Sequence, residues 1–285
     1  MRRLFFLVLP ALVVLVWGET PHADQAPSLK TVVRRVAAYV QAYGEKASIL
    51  VATERYTQDV TSNDAAARRY RAVVAEFAIV KVAGLGDWVG FRDVVEVDGR
   101  RVTDREDRLL QALTTGTGGF DEARRISDES ARFNIGPILR NFNVPTTTLF
   151  FFAPDNVNRF KFARKDATAS AWEIAFHETR HPTLIRTPDG ASIPAAGTLW
   201  VNPQDGTVLR TRLEVSGFAT PVHSGDGGTH GAIDVTYRHI DALEMWLPDT
   251  MVETFEASHG TVVEHTRGEA RYSNYRRFET SARIK

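Results

Sequence analysis

The sequence predicts an α+β fold in which a large curved antiparallel sheet, an open half-barrel, carries helices packed on one face. Two observations predict it. Short runs rich in β-branched and aromatic residues recur through most of the chain, with Pro, Asn, Asp and Gly clusters between them. Helical periodicity is confined to one segment near the start and one insert near 103–143. Strands that follow one another without a helix between each pair are expected to pair antiparallel.

The elements follow in chain order. Arg2 and Arg3 precede a nearly unbroken apolar run from Leu4 to Val16, and the small Gly18 follows, which is the layout of a secretory signal peptide over 1–18. The run is about 13 residues, short of the ~20 that cross a bilayer, and no cysteine follows it to take a lipid. The expectation is a soluble periplasmic or secreted product with no stable membrane insertion after cleavage, a polar linker over 19–27, and one β-rich domain over 28–285. Ser28 caps a helix to about Tyr43, with Leu29, Val32, Val33, Val36 and Val40 on one face and Gly44 placed to end it. Strands are expected over 47–60, 70–82 and 88–97, the last closing on the Asp98-Gly99 turn. Thr103 and Glu106 form a capping box for a helix to Leu113, and a third helix spans 120–133. From there strands are expected over 149–152, 159–162, 172–178, 199–202, 208–216, 233–238, 251–256, 262–265 and 269–278.

Composition narrows the function classes. Lysine and arginine total 35, as do aspartate and glutamate, and loss of Arg2 and Arg3 with the signal leaves a slight acidic excess. Such a chain has no electrostatic case for nucleic acid as a partner. The absence of cysteine removes thiol catalysis, thiolate metal sites and iron–sulfur clusters. No motif points to a cofactor, and none specifies a reaction.

The sharpest string is His177-Glu178-Thr179-Arg180-His181, a formal H-E-x-x-H. Zinc hydrolysis needs it on a helix, where His177 and His181 share one metal and Glu178 serves as general base. Trp172, Ile174 and Phe176 alternate with polar or small residues instead, and Pro182 follows His181, so a strand is expected. Histidines four apart on a strand sit about 13 Å apart, too far for one ion. The zinc hydrolase therefore stands as the alternative. His223 and His230 flank a glycine-rich loop, where Asp226 could join them on a metal, and are read first as exposed polar residues. Thr114 to Gly119 lacks the lysine of a phosphate loop. The mixed charges from Arg100 to Arg108 read as a solvated face, with docking of an envelope protein as the alternative.

Aromatic residues concentrate in or beside the strands. Phe77, Trp88, Phe91, Phe160, Phe162 and Trp200 are the candidate ligand-binding residues if one sheet face is left partly unfilled; otherwise they are core. Three segments carry a resemblance: the helix-to-strand unit from Leu29 to Val51, the strand and turn from Gly197 to Gly206, and the closing strand from Arg271 to Phe278. With the element order, they make the chain similar to the LolA and RseB-like lipoprotein-carrier superfamily of the bacterial periplasm. The resemblance implies a curved, unclosed sheet that shelters acyl chains or a lipidated partner. The expected function is thus an exported binding or carrier protein for a hydrophobic ligand such as a lipid or lipidated protein.

Overall fold

The computed structural model describes residues 26–47, 50–64, 68–81, 88–103, 119–138, 140–168, 170–187, 190–217, 228–259 and 261–277. The signal segment, the Thr103–Leu113 helix beyond its cap, the charges at 104–108, the 114–118 loop, and His223 with Asp226 lie outside these residues. Helix α1 (Leu29–Ala47) is followed by strands β1 (Leu50–Ser62), β2 (Arg69–Lys81), β3 (Trp88–Val97) and β4 (Arg100–Arg101). Helices α2 (Gly119–Ala131) and α3 (Thr147–Phe151) come next. Then come β5 (Phe160–Ala167), β6 (Trp172–Glu178), the short β7 (Ile185–Arg186) and β8 (Ser192–Ile193), and β9 (Ala195–Val201). The chain closes with β10 (Val208–Ser216), β11 (Thr229–Ile240), β12 (Met245–His259) and β13 (Val262–Arg277).

Eleven strands form one unclosed sheet in the order β4-β3-β2-β1-β13-β12-β11-β10-β9-β6-β5, and its assigned pairs are antiparallel. This is the fold class the sequence predicts. Register shifts interrupt several pairs, at Val74/Ala75, Val208/Arg210 and Thr236/Tyr237 among others, and such bulges add twist and bend. The sheet accordingly curls around α1, which lies against β2 near one edge and β5 at the other.

Strand alternation assigns the faces. Ala52, Tyr56, Phe77 and Tyr272 point to the concave face and join one continuous core with Val32, Val36, Val40 and Tyr43 of α1. Val51, Ala78, Val80 and Phe91 point the other way and pack with Ala123 and Ile126 of α2 in a separate small cluster.

Local chemistry explains the ends of α1. Ser28 Oγ accepts from the Thr31 N–H at 3.2 Å, the expected N-cap, and Lys46 lies in the last turn. Gly44 does not end the helix, which continues to Ala47. A Cβ on Gly44 would sit 1.7 Å from Trp88 Cδ1, so the glycine makes room for the indole. The β9–β10 turn docks on the same helix, where Arg35 Nη1 donates to the Pro203 carbonyl at 2.6 Å. In that turn Gly206 has φ +81°, and a Cβ would lie 2.3 Å from the Arg35 carbonyl carbon. Backbone meets backbone there, so no rotamer relieves a clash. Gly206→Ala is expected to cost about 1–3 kcal/mol, read as a lowered urea midpoint with an unchanged slope.

Two expectations are corrected. Residues 149–152 were expected to form a strand, yet α3 is one helical turn across Thr147–Phe151. The run of threonine and phenylalanine has strand chemistry, but packing decides. The turn buries Leu149 and Phe151, and the adjoining Phe152 meets the rings of Phe160 and Phe176. The strands expected at 262–265 and 269–278 are one continuous β13, because Thr266, Gly268 and Ala270 keep the alternation between them.

Candidate ligand site

Residues 132–138 and 140–146 lie between α2 and α3 over the concave face. Beneath them lies a network of buried charge. On the sheet, Arg92 of β3 pairs with Glu54 of β1 through Nε and through Nη2, the latter 2.7 Å from Oε1, and Tyr272 donates to the same carboxylate at 2.7 Å. Glu253 of β12 accepts from the Tyr56 hydroxyl. The crossing segment supplies the rest. Arg140 Nε lies 3.1 Å from Glu253 Oε1, and both side chains are 0% exposed. Arg140 also donates to Gln58 Oε1 at 2.8 Å and to the Ile135 carbonyl at 3.0 Å, with its guanidinium 5.3 Å from the Phe255 ring centre. Asn143 donates to Glu253 Oε2 at 3.0 Å, and its carbonyl accepts from Arg92 at 3.0 Å.

Register explains the convergence. Gln58 pairs with Gly268, and Gly268 with Glu253, so the three form one row. A Cβ on Gly268 would lie 2.7 Å from Glu253 Cγ, so glycine leaves the space that the glutamate fills. Burial, then the adjacent Glu253, raises the Tyr56 hydroxyl pKa above its ordinary value. Burial, then Glu54, does the same for Tyr272. Both therefore remain hydrogen-bond donors. Burial opposes the charge of Arg92, but Glu54 outweighs it and holds the guanidinium protonated.

The outer side of the same crossing segment faces an open cleft of about 910 Å³ between α2, the β3 edge and residues 184–187. Val89, Phe142, Val144, Phe150 and Leu184 are half-buried around it, with Phe91 and Phe151 buried at its base. Arg124, Asp128 and Arg186 stand at its exposed margin. A second, larger groove of about 1110 Å³ crosses the strand ends and includes His177, His230 and His265. Ala195, Val215, Gly231, Ala232 and Phe255 line it together with charged pairs, Arg68 with Asp59 and Arg212 with Glu214 among them. The cleft is distinguished by five half-buried aliphatic and aromatic side chains gathered around one opening.

The six sequence candidates do not share one wall. Phe160 and Phe162 join Phe152 and Phe176 in an aromatic cluster at the β5 edge. Phe77 stacks edge-on against Tyr272, and Trp88 packs on Tyr43, both in the concave core. Phe91 lies on the opposite face and reaches the cleft. Trp200, one residue out of phase with buried Leu199 and Val201, lies on the outer face under the Arg210 guanidinium, 4.5 Å from the ring centre.

The H-E-x-x-H string is not helical. β6 runs through Glu178, so His177 and Glu178 point to opposite faces, and Glu178 pairs with Arg159 at 2.9 Å. That arrangement removes the geometry on which the zinc alternative rested. Among the described residues, no three metal-ligating side chains converge on one point.

The cleft residues Phe142, Val144 and Leu184 and the network residues Glu54, Gln58 and Glu253 were not singled out in the sequence. One signal was present for the network. Glu54 and Gln58 occupy the same alternating phase as Leu50, Ala52, Tyr56 and Val60, so β1 carries polar groups on its buried side.

No protein-family model matches the chain, and no curated protein does. Solved structures are similar to it. One is an outer membrane lipoprotein-sorting protein domain from Vibrio parahaemolyticus, at 10% identity and TM-score 0.39, covering 88% of this chain and 95% of that one. Another is a LolA superfamily protein from Nitrosomonas europaea, at 9% identity and TM-score 0.29, covering 87% and 96%. A third is a DUF1329 family protein from Desulfovibrio piger, at 8% identity and TM-score 0.28, covering 90% and 94%.

Proposed function

We propose that the protein is an exported, soluble carrier that binds the apolar chain of a lipid or lipidated protein in the cleft between α2, β3 and residues 184–187. It acts in the periplasm or outside the cell and hands its ligand to an envelope partner. The observation that carries this reading is the set of half-buried apolar side chains, Val89, Phe142, Val144, Phe150 and Leu184, around one opening of about 910 Å³. A volume of that order suits a single acyl chain or small lipid. Among the described residues, no helix is long and apolar enough to cross a membrane. Of the six aromatic candidates, Phe91 forms the base of the cleft, and Phe77, Trp88, Phe160 and Phe162 stiffen the sheet behind it.

The test is binding of a fluorescent long-chain fatty acid to the wild type and to Phe150→Asp and Leu184→Asp. Both side chains are part-exposed, so the fold is expected to persist in each variant, as circular dichroism will show. Affinity is expected to fall at least about tenfold in both, the scale of losing one buried apolar contact surface to a charge. Unchanged affinity in both folded variants contradicts the assignment of the cleft.

A further inference from the structure

The apolar cleft ends at a cationic rim. Each of two walls brings one arginine to the opening, Arg124 from α2 and Arg186 from β7. Strand alternation places Arg186. Ile185 is buried in the core, so its neighbours Leu184 and Arg186 share the other side, the first half-buried in the cleft and the second exposed above it. Helical spacing places Arg124, which shares with Ser127 and Asp128 the face of α2 that lines the cleft.

The charges at the rim do not cancel. Arg124 Nε lies 4.0 Å from Asp128 Oδ2, and the two side chains are 73% and 56% exposed, so water screens that pair. Arg186 has no carboxylate partner among the described residues. Glu122 and Glu129 of α2 accept from Arg125 at 3.0 and 2.6 Å, away from the cleft. Among the described residues, the opening thus carries two guanidiniums against the single carboxylate of Asp128. A guanidinium fork takes a carboxylate in two parallel hydrogen bonds. Arginine stems also lie along apolar surface while their heads stay in water. The headgroup of a chain seated in the cleft stands at this solvent boundary, where an anion meets the arginines without being desolvated. A neutral head gains nothing from them, and a cationic head is repelled.

We infer that the ligand is a free long-chain carboxylate, its chain in the cleft and its headgroup between Arg186 and Arg124. The inference rests on the carrier reading and adds the headgroup to it. It also separates two occupants that the carrier reading joins. The acyl chain of a lipidated protein is held in an amide or ester linkage and brings no carboxylate to the rim.

Titration calorimetry of the full chain at pH 8 with dodecanoate, dodecanol and dodecylammonium, each below its solubility or micelle limit, tests it. Dodecanoate is expected to bind about two- to thirtyfold more tightly than dodecanol, the worth of two exposed ion pairs. Dodecylammonium is expected to bind more weakly than either. Arg186 is exposed, so the fold is expected to persist in Arg186→Glu. That variant is expected to reverse the order, weakening dodecanoate, tightening dodecylammonium and leaving dodecanol unchanged. Arg124→Gln is expected to weaken dodecanoate and leave dodecanol unchanged. A merely structural Arg186 predicts the same change for all three ligands. The headgroup inference is overturned if dodecanol binds as tightly as dodecanoate, or if Arg186→Glu shifts the three ligands equally. The carrier reading survives either result as long as dodecanol binds; if none of the three binds, both fall.

Discussion

Arg140→Ala is expected to lower the free energy of unfolding by about 3–5 kcal/mol, measured by urea denaturation. The substitution leaves the Glu253 carboxylate buried and without its cation. It also removes the donor to Gln58, which holds the crossing segment to β1, and the donor to the Ile135 carbonyl within that segment. An unpaired buried charge costs far more than the pair contributes, because the desolvation of both groups was offset by their attraction and one side of that balance is gone. Arg212 provides the contrast. It pairs with Glu214 at 2.9 Å and with Asp234 at 2.6 Å, but its side chain is 39% exposed. Arg212→Ala is expected to cost only about 0–1 kcal/mol, since water screens those pairs. Equal losses in the two variants would mean that burial of the Arg140–Glu253 network has no energetic weight.

Phe152→Ala is expected to cost about 3–5 kcal/mol in the same measurement. Phe152 is 0% exposed, and its ring centre lies 5.7 Å from Phe160, 5.8 Å from Phe162 and 5.1 Å from Phe176. The ring thus joins α3 to the β5 edge of the sheet. Its removal leaves a cavity walled by three aromatic rings that cannot collapse without moving the strand. Phe162→Ala, at the part-exposed margin of the same cluster, is expected to cost less, because water can fill the space.

Much of this architecture is legible in the residues. β6 and β10 declare themselves by alternation, and α1 by its valine stripe and serine cap. The exceptions have physical causes. Thr147–Phe151 has strand-forming residues but takes a helical turn because its phenylalanines are needed against β5 and β6, a long-range requirement absent from the local sequence. The aromatic candidates were identified by type, and type says nothing of face. Phe91 and Trp200 lie out of phase with their buried concave neighbours, and only register against β2 and β10 separates them. The ion network is spread over residues 54 to 272, so no local window contains it. What a single strand does reveal is a glutamate in an apolar phase: Glu54 in β1, and Glu253 between Met251 and Phe255 in β12. A carboxylate in that position requires a partner from elsewhere in the chain. Here one partner, Arg92, comes from β3 and the other, Arg140, from the crossing segment.

The central claim is that an apolar chain binds in the cleft and not in the wider groove across the strand ends. Backbone amide chemical-shift mapping by nuclear magnetic resonance during a dodecanol titration tests it most directly. Saturable shifts are expected at residues 89–91, 141–151 and 184–187, with residues 230–232, 254–256 and 265–267 unmoved. Shifts confined to the latter set, or no saturable shift at any amide, would contradict it.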